Sequence, residues 1–361
     1  MEATEIAQNR LASQQLINKK FLTPLDITAW MGAIQAQDFP MAKWAIGLRL
    51  PGATDALIES AINRGDILRT HLLRPTWHFV AAEDICWLVE LSAPQIKAAQ
   101  RSRDRDLELT DEIYSRSNAI IEKALSGGNH LTKEELVKEL GKASIATDQN
   151  RASHLLMRAE LEKIICSGAI RNGRPTYALL SERVRNRKNL SREEALFKLA
   201  ERYFASRCPA TSEDFSWWSG LPAGMVREAL DLTKGSFHRE QLRGKNFIIP
   251  NDFTPPDVSR PTAILLPPYD EFILSYADRS ASISHELESH LKEISDRGMF
   301  RPIIVIDGQV RGTWKRTIKK ESVTIEVNPF DAYDLQSRKA ILEATKQYAA
   351  FVNKEIQVVD R

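Results

Sequence analysis

The sequence predicts an α+β fold in which three tandem winged-helix modules precede a C-terminal antiparallel, β-rich domain of barrel-like form. A helix-start motif occurs three times, and two helical segments and a hairpin follow each copy. Beyond Pro250 the chain instead alternates apolar and polar residues, which is typical of strands. A length of 361 residues suits several compact units, and we expect domains at 1–115, 116–188, 189–255 and 256–361.

The helix-start motif is an apolar residue, then Thr-x-x-acid, then a second apolar residue, and it spans 22–27, 131–136 and 210–215. A threonine oxygen at this position accepts a hydrogen bond from an amide of the first helical turn, and the acid favours the positive helix end. Pro24 occupies the first helical position, where its missing N–H costs nothing. Each copy therefore predicts the start of a helix.

The first two copies lead into the same order of elements. After the first, the sequence predicts a helix through DITAWMGAIQAQ, a second helix that ends at Gly65, and a strand-like segment over 68–80. After the second, a short helix (EELVKEL) precedes a longer one over 151–166, which Gly168 ends. A hairpin follows, with Asn172-Gly173 at its tip.

The third copy predicts a helix-turn-helix, because EDFSWWSG ends at Gly220 and AGMVREALDL resumes a helix. Two short strands follow, on either side of Arg243-Gly244. Farther on, the turn signals Asp307-Gly308 and Lys320-Glu321 predict an antiparallel meander. Residues 331–353 have helical spacing, and we expect this helix to pack across the meander.

The composition is that of an ordinary globular protein, with 43% hydrophobic and 27% charged residues and a formal net charge of +2. Because the chain is not strongly basic, any contact with DNA must depend on local patches.

Cys86, Cys166 and Cys208 lack CxxC spacing, which predicts buried thiols rather than a disulfide framework or a metal site. A charged N-terminus and the lack of a long apolar run predict a cytoplasmic protein with no membrane contact. We expect a monomer, because the repeats supply an extended surface within one chain.

Basic side chains are concentrated in several segments. Winged helices present one helix to the major groove and a basic wing to the backbone, and Arg151, His154 and Arg158 share one face of the second module's longer helix. The ordinary explanation for any single cluster is a charged face in contact with solvent. Taken together with the repeated fold, the basic clusters favour contacts with DNA. The other clusters are Arg101, Arg103 and Arg105; Arg183, Arg185, Arg187 and Lys188; and Lys315, Arg316, Lys319 and Lys320.

The most unusual segment is Gln35-Ala36-Gln37-Asp38-Phe39-Pro40. Residues two apart on a regular helix point about 200° away from each other, so the two glutamines cannot face one site from a helix. Pro40 disfavours helical backbone at the preceding residue, and we expect the helix to fray near Gln37. Both amides and the Asp38 carboxylate would then converge on one cleft. The alternative is that the glutamines cap free carbonyls at a helix end.

This segment, in the context IQAQDFPMAKWAIGLRL, resembles the AlkZ/YcaQ-type winged-helix DNA glycosylases, as does the following LRTHLLRPTWHFVAAEDICWL. PATSEDFSWWSGLP, LLPPYDEFILSYADR and IDGQVRGTWKR resemble further blocks of that family, in family order. The resemblance implies three winged helices and a C-terminal β-rich domain that together form a concave DNA-binding surface. It also implies a catalytic Gln–apolar–Gln motif, which falls on Gln35, Ala36 and Gln37.

Two details refine the resemblance. The YcaQ branch carries an aspartate where this chain has Gln37, so the chain is more similar to the AlkZ branch. Parts of the family read Arg-Gly-Thr where this chain has Arg74-Pro75-Thr76, so contacts from the backbone of that strand need not be shared.

The implied reaction is hydrolysis of the N-glycosidic bond of an N7- or N3-alkylated purine in double-stranded DNA, during DNA repair. Such a base already carries positive charge and therefore departs as a neutral molecule without an acid catalyst. Gln35 and Gln37 would position the attacking water and favour an oxocarbenium-like transition state, and Asp38 would add a favourable negative charge. No lysine nucleophile is needed, which predicts a monofunctional enzyme, and we expect neither a metal nor another cofactor.

We expect DNA contacts from the first module, from the second module's helix and from the last hairpin. Residues alternate along 68–80, so about half of them should face the cleft, although structural roles are the alternative for Trp77 and His78. The hairpin around Asp307-Gly308 is a candidate minor-groove probe. The expected contact residues are Lys43, Arg69, His71, Arg74, Thr76, Trp77, His78, Arg151, His154, Arg158, Arg311, Trp314, Lys315 and Arg316.

Two other functions remain open at this point. A non-enzymatic DNA-binding protein, such as a transcriptional regulator, predicts sequence-specific binding for which the glutamines are dispensable. A protein-binding scaffold would need neither the basic helix face nor the wings. We further expect Tyr269-Asp270 and Asp278-Arg279 to hold the C-terminal domain against the helical modules.

Overall fold

The computed structural model describes residues 2–242, 244–257 and 261–360, and it combines many helices with mainly antiparallel sheets. The α-helices are α1 (Ala3–Ser13), α2 (Pro24–Met31), α3 (Phe39–Gly47), α4 (Asp55–Arg64), α5 (Ile85–Asp106), α6 (Asp111–Leu125), α7 (Lys133–Lys142), α8 (Arg151–Leu161), α9 (Leu180–Arg183), α10 (Arg192–Arg207), α11 (Ser212–Ser219), α12 (Ala223–Leu232), α13 (Glu271–Leu274), α14 (Leu291–Ile294) and α15 (Leu335–Phe351).

The strands are β1 (Ile34–Gln35), β2 (Ile67–Leu72), β3 (Thr76–Ala81), β4 (Ile165–Ser167), β5 (Tyr177–Leu179), β6 (Phe237–Leu242), β7 (Lys245–Pro250), β8 (Ala263–Leu266), β9 (Ser295–Asp296), β10 (Met299–Phe300), β11 (Ile303–Ile306), β12 (Gln309–Ile318), β13 (Ser322–Pro329) and β14 (Glu355–Asp360). Two 3₁₀ helices, Ala82–Asp84 and His285–His290, complete the regular elements of the described residues.

The first unit contains α2, α3, α4 and a three-stranded antiparallel sheet in the order β1-β3-β2. The prediction of one helix through DITAWMGAIQAQ was wrong beyond Met31. Gly32, with φ of +71°, ends α2, and Ile34 then pairs with Phe79 of β3. The predicted strand over 68–80 is a hairpin, because the chain turns at Leu73, which has φ of +59°.

The second unit contains α6, α7, α8 and the short pair β4–β5. A complete capping box at Thr132 starts α7, as predicted. The longer helix ends at Leu161 rather than at residue 166, because Lys163 takes a positive φ of 60° and Ile165 begins a strand. Asn172 and Gly173 both have positive φ, so they turn the hairpin as predicted.

The third unit contains α10, α11, α12 and the antiparallel pair β6–β7. The capping box at Thr211 starts α11, and Gly220 ends it in the left-handed region, both as predicted. The predicted hairpin tip includes Arg243, which lies outside the described residues.

The C-terminal sheet has the strand order β14-β13-β12-β11-β8. Strands β11, β12 and β13 form the predicted antiparallel meander, and α15 packs over the sheet through Ile341, Ala344 and Tyr348. The last strand departs from the all-antiparallel prediction, because β14 pairs in parallel with β13. This parallel pairing follows from α15, which returns the chain to the end of the sheet where β13 begins.

The C-terminal sheet and the first unit share one apolar core. Trp44 of α3 contacts Tyr348 and Phe351 of α15, with ring centroids 5.1 and 5.0 Å apart. The buried Arg49 forms a bidentate ion pair with Asp270, at 2.9 and 2.8 Å, which is the contact expected of that aspartate. Ile34 and Ala36, which flank Gln35, belong to this shared core.

The division into four domains stays a prediction, and its boundary at 115/116 lies inside α6. Across the part of the chain that the structure describes, every helix is too short or too polar to cross a bilayer.

Candidate functional site

Gln35 lies in a short strand, directly opposite His78 of β3, and His78 lies opposite Thr70 of β2. Because paired residues of neighbouring strands point to the same face of a sheet, these three side chains form one row across the three strands. All three are buried, with relative exposures of 7%, 1% and 0%. We call this set the Gln35 row.

A carboxylate from the C-terminal region fixes the backbone of Gln35. The Gln35 amide donates to Glu271 Oε1 at 2.8 Å, whereas Glu271 Oε2 accepts from Arg207, Trp218 and Ser275 at 2.6–2.9 Å. Burial by itself would raise the pKa of Glu271, but the Arg207 charge and the hydrogen bonds hold it at about 2. The carboxylate is therefore charged at neutral pH.

The backbone of Ala36 is fixed from the opposite side. Its amide donates to the Trp77 carbonyl at 2.6 Å, and its carbonyl accepts from Arg69 Nε and Nη2 at 3.0 and 2.8 Å. Arg69 also lies over the Trp77 ring, 4.1 Å from its centroid. Burial lowers the pKa of Arg69 to about 10, which leaves the guanidinium charged at neutral pH.

Several buried polar atoms near the Gln35 row make no hydrogen bond with the described residues: Gln35 Oε1, Thr70 Oγ1, Thr76 Oγ1 and Arg74 Nε. Thr76 and His78 alternate along β3 and so point to the same face, and Arg74 lies in the adjoining turn. Buried polar atoms almost always have partners. A group of them without protein partners is the chemistry expected where water or a ligand binds.

His78 is neutral at neutral pH. Burial, with the Arg74 charge, lowers its pKa from 6.5 to about 4, although the Glu271 carboxylate opposes the shift. Its Nδ1 lies 3.0 Å from the Thr76 carbonyl, which can only accept, so we assign the proton of the neutral ring to Nδ1. Nε2 is then left with a lone pair.

The depressed pKa of His78 predicts a loss of stability in acid. Between pH 6.5 and 4 the unfolded chain binds a proton at this histidine and the folded chain does not, so the free energy of unfolding falls as the pH falls. A shift from 6.5 to about 4 corresponds to about 3 kcal/mol. Urea unfolding at pH 7 and pH 5 should therefore show a smaller difference for His78→Gln than for wild type. The exposed His285→Gln is the control, and equal pH dependence in all three proteins would contradict the prediction.

Gln37 is exposed and Asp38 is half-buried. The expected fraying helix end is absent from this part of the structure, because the glutamines precede a helix rather than end one. Asp38 is the N-cap of α3, and its carboxylate accepts from the Met41 amide at 3.2 Å. Gln35 therefore lies in a fixed, buried position, and Gln37 lies at the surface two residues farther along.

The other predicted residues of the first unit have mixed environments. Lys43 is buried and paired with Asp55 and Glu59 at 2.8 and 2.6 Å, so its ammonium group already has two carboxylate partners. His71 pairs with the buried Glu160 at 2.5 Å and packs against Trp77, with ring centroids 3.8 Å apart.

The side chains on the predicted basic face of α8 contact neighbouring helices, and a role for this face in DNA binding stays a prediction. Arg151 donates to the Leu107 carbonyl, and His154 is buried 3.6 Å from Asp104. Arg158 lies 4.1 Å from the Tyr114 ring centroid and pairs with Glu162 at 3.7 Å. These contacts join α8 to α5 and α6.

Of the residues expected at the minor-groove probe, Trp314 lies in the interior of the C-terminal sheet. This side chain has 0% exposure, and its indole donates to the Leu266 carbonyl at 2.9 Å inside the sheet core. The turn at Gly308 packs against Ala7 of α1, so it is not a free tip. Arg311 and Lys315 are exposed, and Arg316 is half-buried.

Glu271 and Arg207 were missed at the level of sequence, although both contact the candidate segment. Arg207 is fully buried and donates to the carbonyls of Met31 and Ala33 at 2.8 and 2.9 Å, which fixes the turn before β1. For Glu271, the sequence feature that could have indicated a buried carboxylate is its position immediately before the apolar Phe272-Ile273-Leu274.

The three cysteines are buried, as predicted, and none of them is in a disulfide. Within the described residues, no group of three or more His, Cys, Asp or Glu side chains is arranged to hold a metal ion.

Comparison with known proteins gives a consistent result. The sequence model of the DNA glycosylase AlkZ-like family matches residues 28–351. The structure is similar to that of Streptomyces sahachiroi DNA glycosylase AlkZ, with a TM-score of 0.80 and 18% identity, over 99% of this chain and 100% of that one. At this identity the structural likeness establishes the fold. No curated protein matches.

The fold and the family match define the class of protein: a DNA-binding hydrolase of DNA repair, a DNA glycosylase. The chain belongs to the DNA glycosylase AlkZ-like family. This membership favours the enzyme over the non-enzymatic regulator considered above.

Proposed function

We propose that the protein hydrolyses the N-glycosidic bond of cationic N7- or N3-alkylated purines in duplex DNA, with Gln35 and Gln37 positioning the attacking water. The main support for the proposal is the environment of Gln35. Its backbone is fixed by hydrogen bonds to Glu271 and, through Ala36, to Arg69, and its buried Oε1 makes no hydrogen bond with the described residues. A fixed amide oxygen with an open acceptor site suits a group that must orient one water molecule.

The charges around Gln35 support a reaction that needs no acid catalyst. His78 is neutral, and Glu271, which holds the Gln35 amide, is charged. A purine alkylated at N7 or N3 is already cationic, so it departs without protonation. Negative charge at Glu271 and at Asp38 favours the positive charge that develops on the sugar, and the neutral His78 Nε2 adds a second acceptor near the water.

We further propose that the three helix–hairpin units are winged helices which hold the duplex around the first unit. Exposed Gln37 would reach the water from the DNA side. The duplex backbone would contact Arg74 in the β2–β3 turn, and Arg311 and Lys315 of β12. Arg74 lies 5.2 Å from the centroid of the Trp217 ring, of which 45% is exposed, so this pair presents both a charge and an aromatic surface.

Product analysis tests the proposal. Incubation with duplex DNA that carries one N7-methylguanine should release the free base and leave an unbroken strand with an abasic site. Borohydride should trap no covalent protein–DNA adduct, because no lysine takes part. Failure to release the base would contradict the proposed substrate, whereas a trapped adduct would contradict the monofunctional mechanism.

Asp38→Asn separates the structural role of this residue from its electrostatic one. Asparagine caps helices about as well as aspartate, so the melting temperature should change little. Loss of the negative charge should lower the single-turnover rate of base release by roughly tenfold. The matched control is Asp334→Asn, which changes the N-cap of α15 and should leave the rate unchanged. A normal rate in Asp38→Asn would assign Asp38 to capping alone.

A further inference from the structure

A cavity of about 320 Å³ lies between the β2–β3 hairpin of the first unit and the hairpin of the second. Phe39, Trp77 and Tyr177 contribute aromatic walls, and Thr176 and Ile170 line the side that belongs to the second unit. This volume is at the small end of the range for ligand pockets, which begins at about 300 Å³. It suits one planar ring system and is too small for a base pair.

The cavity and the Gln35 row lie on opposite faces of the same sheet. Trp77 and His78 are neighbours along β3, so their side chains point to opposite sides. Trp77 lines the cavity, whereas His78 lies opposite Gln35. A group bound in the cavity is therefore not presented to the Gln35 amide, and the cavity does not hold the reacting sugar.

The charges that line the cavity identify the class of ligand. Arg69, Lys133 and Arg174 are cationic, and Glu134 is the one carboxylate among the described lining residues. Arg69 donates through Nε and Nη2 to Ala36, and its Nη1 makes no hydrogen bond with the described residues. Arg174 is exposed, and its charge contributes to lowering the pKa of the neighbouring Glu134. Net positive charge disfavours a cationic alkylated purine and favours a neutral base flanked by phosphate.

We propose that this cavity binds the nucleotide opposite the lesion, with its neutral base against the aromatic walls and its phosphate near Arg174 and Lys133. The inference extends the proposed function, because it requires a lesion that has left its partner unpaired. An unpaired base is the least costly to unstack from a duplex, and stacking on aromatic side chains is tolerant of base identity. The site therefore adds affinity without selecting the partner base.

The proposed binding of the partner nucleotide is tested by combining one change in the DNA with one change in the protein. The change in the DNA removes the partner base, and the change in the protein fills the cavity. The first duplex carries a tetrahydrofuran abasic analogue opposite a normal base, and the second carries it opposite another tetrahydrofuran. Wild type should bind the second duplex about tenfold more weakly, as expected for the loss of one stacked base. Ile170→Trp fills the cavity and should bind both duplexes equally well. A wild-type ratio near one, or the same ratio in both proteins, would overturn the proposal.

A second variant changes an exposed side chain, so that its effect on binding does not depend on whether Ile170→Trp folds. Arg174→Glu should weaken binding of the first duplex more than of the second, and should lower the salt dependence of binding by about one phosphate contact. The control is Lys339→Glu, which reverses an exposed charge of α15 away from the cavity and should leave the ratio between the duplexes unchanged. Equal effects of the two charge reversals would count against the site.

A third duplex distinguishes binding of the nucleotide opposite the lesion from binding of the damaged nucleotide itself. It carries 2′-fluorinated N7-methylguanine, which resists hydrolysis, in place of the tetrahydrofuran. If Ile170→Trp weakens binding of this duplex alone, the cavity takes the damaged base and our assignment is wrong. All of these measurements record binding, so they succeed or fail independently of base release.

Discussion

Replacement of Gln35 by alanine is expected to lower the single-turnover rate of base release by roughly 10²- to 10³-fold, the range seen when one preorganised transition-state contact is removed. Binding of damaged DNA should change less than twofold, because the side chain is 7% exposed and its backbone anchors remain. Rapid-quench measurement of free N7-methylguanine, together with fluorescence anisotropy for binding, gives both quantities.

The matched control for Gln35→Ala is Gln336→Ala, which removes an exposed amide from the C-terminal helix. This control should release the base at the wild-type rate. If Gln35→Ala also does so, the buried amide does not position the water. A large loss of binding instead would mean that Gln35 contributes to DNA recognition.

Replacement of Glu271 by glutamine is expected to destabilise the fold by about 3–5 kcal/mol, the cost of leaving a buried charge without its partner. Arg207 has 0% exposure and forms its ion pair with Glu271, at 2.8 Å. The substitution keeps the shape of the side chain, so packing changes little. Urea unfolding should show a lower transition midpoint, and the release of base should fall because the strand that carries Gln35 loses an anchor.

The comparison for Glu271→Gln is Glu228→Gln, which breaks the exposed pair with Arg192. Exposed pairs contribute about 0–1 kcal/mol, so this variant should unfold close to wild type. Equal stabilities for the two variants would show that the buried pair is not a structural requirement.

Much of the architecture could be predicted because the governing signals are local. The threonine caps at 23, 132 and 211 start helices, and Gly65 and Gly220 end them in the left-handed region. The meander from β11 to β13 follows from strand alternation and two turns. These features depend on a few neighbouring residues, so a single sequence reveals them.

The site could be predicted only in part, because its geometry depends on distant contacts. Gln35 was expected near a helix end, whereas pairing with β3 and the bond to Glu271, 236 residues away, make it part of a strand. His154 and Trp314 were expected to contact DNA, yet both are buried. Spacing along the chain shows which residues share a face but not which neighbour covers that face.

The central claim is that the enzyme acts on a base that is already cationic and therefore supplies no acid. The most direct test compares N7-methylguanine with 7-methyl-7-deazaguanine, which has nearly the same shape but no positive charge, at one position in the same duplex. We predict release of the first base and no measurable release of the second, with similar binding of both. Release of both bases at comparable rates would contradict the account, because it would require a proton donor that the neutral His78 and the two glutamines do not provide.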